Sequence, residues 1–288
     1  MANHYSRVLP QWAKNVLVFV PVLASHQLIN GRLMLQAGLA FLAFSLCASS
    51  VYIINDCLDL ESDRRHPRKR NRPFASGSLS IPFGLTLAAV CLVGGVLLAV
   101  ALPPLFLLVL AGYLVLTTGY SFYLKQFVLL DVIVLAQLYT VRVYGGGAAT
   151  GVAPSHWLLT FSLFLFLSLA LVKRFTELRL MSQTEGKGLH GRGYWVTDLE
   201  HVSSIGTASG LLAVLVLALY ISSREVLLLY THADVLWLVC PVMLYWISRV
   251  WMLAYRNQMD DDPVVFAVKD PKSYAMAAII AAILFFAK

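Results

Sequence analysis

At 288 residues, 59% hydrophobic and only 13% charged, the chain is too apolar for a soluble globular domain of its length and reads as an all-α, polytopic membrane protein. A formal net charge of +7 would suit nucleic acid if the cations covered a soluble surface. They cluster instead in loops between apolar segments, so the bilayer is the expected partner and nucleic acid is not. The four cysteines, Cys47, Cys57, Cys91 and Cys240, show no CxxC spacing and indicate neither disulfides nor zinc.

The polar opening MANHYSRVLPQWAKN leads into an apolar run with no small-residue cleavage site, so no removable signal peptide is expected. Trp12 and Lys14 stand as interfacial anchors ahead of a first span near 15–30. Asn30-Gly31 makes a tight turn into a second span over about 33–57. Ser80-Ile81-Pro82 opens the third, which ends near Ala101, and Pro103-Pro104 turns the chain into a fourth that ends around Tyr123. After Lys125 and Gln126 a fifth span covers about 128–148. The glycine run 145–147 and Pro154 are expected to break the chain before a sixth span over about 155–178. A polar segment from Arg179 to Ser203 separates it from three further spans near 204–222, 233–253 and 272–287. The expectation is therefore nine transmembrane helices in one integral-membrane domain over 1–288. With the N-terminus cytoplasmic, 18 of the 22 Lys and Arg fall on that side; Arg32, Arg224 and Lys288 lie opposite and Arg142 lies within a helix. Both large polar loops, about 58–80 and 179–203, then face the cytoplasm.

The most informative stretch runs from Asn55 to Gly77, NDCLDLESDRRHPRKRNRPFASG, with four acids and six Lys or Arg. Asp56, Asp59 and Asp63 are spaced i, i+3, i+7 and fall within about 60° of a helix circumference. Three carboxylates on one stripe repel one another unless a cation neutralises them, and an all-oxygen donor set with Asn55 beside it suits Mg²⁺. Mg²⁺ reaches proteins through one or two carboxylates plus substrate phosphates, and Arg64, Arg65, Arg68, Lys69, Arg70 and Arg72 supply partners for the remaining phosphate charge. The stretch reads as a magnesium–diphosphate site. The plainer alternative is a solvated loop that only orients the chain. Against it, the stripe begins inside an apolar helix, where a short Asp side chain cannot snorkel far.

A second polar site closes the sixth span, LVKRFTELRLMSQTEGKGLHGRGYWVTDLE. Lys173 and Arg174 stand i, i+4 and i, i+3 from Glu177, the spacing of an ordinary intrahelical ion pair. Arg179, Lys187, Arg192 and Tyr194 follow on the same side. Gly186, Gly188, Gly191 and Gly193 leave the loop free to fold over a ligand, or make it a loose connector. Arg142, mid-helix, is expected to face the bundle interior and an anion or carboxylate, with Asp131 as a candidate partner. Tyr120, Ser121, Tyr123 and Lys125 read as an interfacial belt rather than part of the site rim. Asp260 to Asp262 read as a helix-capping turn rather than a second metal site.

NDxxDxxxD followed by RxxPxKxxRPxxxG resembles the UbiA superfamily of intramembrane prenyltransferases, matched here by Asn55, Asp56, Asp59, Asp63, Arg64, Pro67, Lys69, Arg72, Pro73 and Gly77. YSFYLKQFVLLDV at 120–132 also has that look, and the resemblance covers essentially the whole chain. It implies a bundle of nine helices around a central cavity. Members that prenylate aromatic acids or quinone precursors carry a second DxxxD motif between helices six and seven. None occurs here, Asp198 and Glu200 having the wrong spacing. KRFTEL instead resembles the KRYxEL of the decaprenyl-phosphate phosphoribosyltransferase branch. QWAKNVLVFVPVLASHQL and MDDDPVVFAVKD are also similar to that branch, or to relatives fused to HAD phosphatase domains, for which these residues leave no room.

That resemblance implies a transferase with phosphoribosyl diphosphate as donor, a polyprenyl phosphate as lipid acceptor and Mg²⁺ as cofactor. Its product would feed cell-wall arabinan or related glycans. Asn55, Asp56, Asp59 and Asp63 would hold the metal, while Lys69 and Arg72 stabilise the departing pyrophosphate. Lys173, Arg174 and Arg192 would grip the sugar 5-phosphate or the lipid phosphate, with Arg64, Glu177, Tyr194, Arg142 and Lys14 as further substrate-binding candidates. The expected location is a prokaryotic inner membrane with the active site facing the cytoplasm. The alternative within the family is a polyprenyl diphosphate-dependent aromatic prenyltransferase of the 4-hydroxybenzoate type, disfavoured by the missing second motif. A transporter of an anionic metabolite would need broken helices in repeated halves, and no convincing internal repeat is present.

Overall fold

Each long apolar run of the sequence folds as helix, and among the described residues no extended strand occurs. The computed structural model describes residues 12–65, 69–183, 188–189, 191–259 and 263–288, apart from the side chains of Ser62, Arg65, Lys69, Glu225, Leu227 and Leu228. A 3₁₀ segment, Lys14–Phe19, passes into α1 (Val20–Ala24). There follow α2 (Gly31–Leu58), α3 (Leu60–Arg65), α4 (Ile81–Val100), α5 (Pro104–Phe122), α6 (Leu130–Thr150), α7 (His156–Gln183), α8 (Leu199–Ile221), α9 (Arg224–Leu229), α10 (Val239–Tyr255), α11 (Pro263–Lys269) and α12 (Pro271–Ala287).

Among the described residues seven segments are long and apolar enough to cross a membrane, α8 and α10 counting with the 3₁₀ turns that lead into them (Val196–Ile221 and Ala233–Tyr255), and an eighth counts if α11 and α12, bent by 77°, form one span. The first of the nine expected spans is a shorter apolar helix, Lys14–Ala24. At 28 residues α2 reaches about 42 Å, more than a hydrocarbon core requires. Helix starts follow local chemistry. The Asn30 side chain accepts the amides of Arg32 and Leu33, Ser80 accepts that of Phe83 with Pro82 in the first turn, and Asp270 accepts that of Ser273 behind Pro271.

The helices divide into two compact units, with α6 contributing its first half to one and its second half to the other. In the first unit (residues 1–122 and 141–154) small residues let α2 and α4 approach closely. A Cβ on Gly95 would sit 2.6 Å from the Cys47 sulfur, and Ala40, Ala43 and Ala88 are buried nearby in sequence. Lipid gives helices little hydrophobic reason to associate, so such close van der Waals packing replaces it. Phe44 packs edge-on against Phe106 and Tyr113, at ring distances of 5.6 and 5.1 Å.

The glycine run corrects the sequence expectation. α6 continues through Gly145, Gly146 and Gly147 to Thr150, and the break comes at Gly151, whose φ of +74° is the left-handed conformation that glycine adopts freely. The run serves close contact instead. A Cβ on Gly146 would lie 2.0 Å from the Val18 carbonyl oxygen, and one on Gly145 would lie 2.7 Å from the Phe44 ring.

In the second unit (residues 123–140 and 155–288) α7, α8 and α10 share a polar pin inside an apolar contact. Ser168 donates to the Gly206 carbonyl at 2.7 Å and accepts from the Trp251 indole at 3.0 Å. Gly206 leaves room for that indole, since a Cβ there would lie 2.2 Å from the ring.

Candidate functional site

The first unit gathers part of the aspartate stripe. α2 ends at Leu58, Asp59 takes φ −82° and ψ 8°, and the chain resumes as α3, so the single helix expected through the stripe is broken at its middle residue. The amide ladder survives the break, with Asp59 bonded to the Asn55 carbonyl at 2.9 Å and Asp63 to that of Asp59 at 2.8 Å. Asp56 and Asp63 therefore stay on one side, where Nη1 of Arg72 meets both, at 2.8 and 2.7 Å. Asp63 is 2% exposed, whereas Asp59 is exposed. Asn55 donates to the Ser121 hydroxyl at 2.8 Å, and Arg64 donates to the Ala75 carbonyl at 3.3 Å. Arg72 is held in place by the loop that follows it. Phe74 is buried so tightly against Gly84 that a Cβ there would lie 2.5 Å from its ring, and Gly77 turns the chain at φ +78°. The Lys69 side chain, like residues His66 to Arg68 and Lys187, lies outside the described residues.

Two carboxylates gathered on one guanidinium nitrogen make a donor set shaped for a cation, and Arg72 stands in for one. Among the described residues no three His, Cys, Asp or Glu side chains converge on a single point. The set therefore fits a metal that takes two protein carboxylates and its remaining oxygens from phosphate or water, which is how Mg²⁺ commonly binds.

Deeper in the same unit, Arg142 is 5% exposed, as expected for a mid-helix guanidinium facing inward. Its partners include the Asn15 side-chain oxygen at 2.7 Å and the Tyr113 hydroxyl at 3.0 Å, with Asn15 donating on to Ser45 at 2.9 Å. Lys14, adjacent to Asn15, is buried as well. The candidate pairing of Arg142 with Asp131 does not form. Eleven residues apart on one helix, they are separated by about 16 Å of axial rise.

Asp131 is instead the centre of a cluster in the second unit. It is 0% exposed, as is Arg174, and Nη2 of Arg174 lies 2.8 Å from its Oδ2. The Tyr194 hydroxyl donates to Oδ1 at 2.6 Å, and Nη1 of Arg192 stands 3.9 Å from Oδ2. Arg174 also pairs with Glu177 one turn on, the i, i+3 partner expected from spacing, and lies 5.6 Å from the Tyr194 ring centre. Lys173 is half-buried beside it. Burial, and then the bond given to Asp131, push the Tyr194 phenol well above the usual tyrosine range, so it stays a proton donor. The glycine-rich loop is not a loose connector where it is described. Gly188 and Trp195 form an antiparallel bridge, with Gly191 and Gly193 at φ +73° and +69° in the turn between them.

Sequence reasoning did not single out Asn15 or Tyr113, named Asp131 only as a partner for Arg142, and placed Ser121 in an interfacial belt; none of the four was a candidate for binding substrate or metal. For Asp131 the available signal was an aspartate opening an apolar helix. Asp260 to Asp262 lie outside the described residues. The cap of α12 is Asp270, which also takes Arg249 through both carboxylate oxygens at 2.7 and 2.9 Å.

Comparison with known proteins agrees with this architecture. Residues 16–269 match the model of the UbiA prenyltransferase family. The Sinorhizobium fredii protein y4nM is 39% identical over 94% of this chain, which spans 53% of that longer protein. Nodulation protein NoeC of Azorhizobium caulinodans is 38% identical over 91% of this chain and 85% of its own length. Decaprenyl-phosphate phosphoribosyltransferase of Mycobacterium tuberculosis is 37% identical over 60% of this chain and 59% of its own. Among solved structures, a UbiA homologue of Archaeoglobus fulgidus bound to GPP and Mg²⁺ superposes with a TM-score of 0.70 at 16% identity, covering 96% of both chains. The chain thus belongs to the UbiA prenyltransferase family and is an integral membrane protein of that all-helical fold.

Proposed function

We propose that this protein transfers 5-phosphoribose from phosphoribosyl diphosphate to a polyprenyl phosphate, releasing pyrophosphate. The observation that carries the reading is the cluster in the second unit. Prenylating relatives that the sequence resembles have a second Asp-rich motif in the segment after this helix, whereas the last part of α7 carries Arg174 and Glu177, gathered with Asp131, Arg192 and Tyr194. The similarity to decaprenyl-phosphate phosphoribosyltransferases supports it.

In this reading residues 1–288 act as one transferase domain in a prokaryotic inner membrane, with the site facing the cytoplasm. Asp56 and Asp63, with Asn55 and Asp59 beside them, would hold Mg²⁺. When bound, Mg²⁺ neutralises diphosphate charge and makes pyrophosphate a better leaving group. Arg72, already drawn between Asp56 and Asp63, stabilises the charge that grows on the departing pyrophosphate, and Lys69 assists it. A lipid phosphate is ionised at neutral pH, so no strong general base is required. One of its oxygens forms the new bond to the anomeric carbon, the bond from that carbon to pyrophosphate breaks, and pyrophosphate leaves with the electron pair. In-line attack inverts the anomeric configuration. Positioning and electrostatics supply most of the acceleration.

The test is a radiolabel transfer assay in detergent with Mg²⁺. One tube holds labelled phosphoribosyl diphosphate and polyprenyl phosphate; the other holds a polyprenyl diphosphate and labelled 4-hydroxybenzoate. A lipid-extractable, EDTA-sensitive product in the first tube, lost in Asp56→Asn, is the expected result. Product in the second tube alone overturns the phosphoribosyl assignment in favour of aromatic prenylation.

A further inference from the structure

The second unit holds its glycine-rich hairpin against the start of α6 at three points. The Tyr194 oxygen donates its only proton to Asp131 at 2.6 Å and accepts the Leu129 amide at 2.9 Å. Leu129 itself has φ +64°, a conformation that a bulky side chain rarely adopts and that persists where the surroundings over-determine it. Gly193 brings its backbone so near the Gln126 carbonyl that a Cβ would lie 2.9 Å from the oxygen. The strained residue and the close approach both lie within five residues of Asp131.

We propose that Asp131 is a positioning residue. It locks Arg174 as an internal counter-ion and, through Tyr194, docks the Gly188–Trp195 hairpin so that Arg192 is the cation presented to a phosphomonoester. The division of labour follows from burial. Arg174 is enclosed between Asp131 and Glu177, and drawing it to a substrate would take one buried cation from two carboxylates at once. Arg192 stands 3.9 Å from Asp131, within ion-pair range, and at 28% exposed it is the one of the two arginines that an arriving phosphate can reach from solvent. The docking is independent of the substrate. The phosphomonoester assignment rests on the proposed reaction, in which the donor's 5-phosphate and the lipid phosphate share that chemistry.

Limited trypsinolysis of the full chain in detergent tests the docking. The product beginning at Gly193, from cleavage after Arg192, is quantified against cleavage after the exposed Arg70 in the same digest. In Tyr194→Phe the Gly193 product is expected to form at least about tenfold faster, because a hydrogen bond to a carboxylate has been lost, while the Arg70 cut is unchanged. Asp131→Asn is expected to behave alike, and Tyr194→Phe decides the matter if that variant does not fold. Equal rates in wild type and Tyr194→Phe, or parallel acceleration at both sites, overturn the docking.

In the transfer assay Arg192→Gln is expected to raise KM about tenfold with little change in kcat, the signature of lost ground-state binding. A rise for phosphoribosyl diphosphate assigns Arg192 to the sugar 5-phosphate, and a rise for polyprenyl phosphate assigns it to the lipid. A rise for neither overturns its role. If neither tube yields product, the proteolysis ratio still decides the docking. Protection of the Arg192 cut by inorganic phosphate, which shares the charge and shape of a phosphomonoester, then decides whether that arginine takes such an anion, and its absence refutes it.

Discussion

Alanine at Gly146 would place a methyl carbon 2.0 Å from the Val18 carbonyl oxygen and 2.8 Å from the carbonyl carbon. A carbon rests against a carbonyl oxygen at about 3.3 Å or more, so the two backbones must part by roughly 1.3 Å, with no side-chain rotation to relieve them. Two effects compete. Removing a glycine from a helix interior stabilises by up to ~1 kcal/mol, whereas overpacking a closely fitted contact costs about 1–3 kcal/mol and more when backbone must move. The clash wins, and Gly146→Ala should be destabilised by about 2 kcal/mol net, roughly 5 °C in apparent Tm for a chain of this size. The assay is thermal unfolding of the detergent-solubilised protein at one scan rate, with wild type alongside because such unfolding is commonly irreversible. Gly38→Ala is the control. It lies within α2 with nothing near its absent Cβ, and its Tm should hold or rise. An unchanged or higher Tm for Gly146→Ala would refute close contact as the reason for this glycine and restore a helix-weakening role.

Arg72→Gln leaves Asp63 buried without its cation and should cost about 1–3 kcal/mol, read as a lower Tm; the double change with Asp63→Asn should recover part of it. Because burial raises the Tyr194 phenol, its contribution to stability is complete below the unfolded value near pH 10 and is lost as pH rises through the folded one. The Tm difference between wild type and Tyr194→Phe should therefore stay level from pH 7 to about pH 9.5 and narrow only above that; a gap that closes by pH 8 contradicts the assignment. Asp270→Ala removes both the α12 cap and the two-pronged contact with Arg249. A double-mutant cycle with Arg249→Met should return a coupling of about 1–3 kcal/mol, and additivity would mean the pair contributes nothing.

Much of this protein is legible in one dimension because local chemistry decides it. Apolar runs of spanning length become helices, Ser80-Ile81-Pro82 starts one at its cap, and the spacing of Asp56 and Asp63 keeps both carboxylates on one side even across the break at Asp59. The Arg174–Glu177 pair is local for the same reason. That Asp131 and Arg142 cannot pair was equally available, since helix rise alone separates them. Their true partners were not. Asp131 meets Arg174 and Tyr194, and Arg142 meets Asn15 and Tyr113, across long stretches of intervening chain. Periodicity tells which face of a helix a residue occupies, but the neighbour on that face is set by how helices pack. The glycines at 145–147 show the same limit. Lack of a Cβ serves a break and a close approach equally well, and only the Val18 carbonyl beside Gly146 distinguishes them. Composition and spacing decided that the chain enters a membrane carrying a cation-seeking stripe; packing between distant segments decided which charges hold one another there.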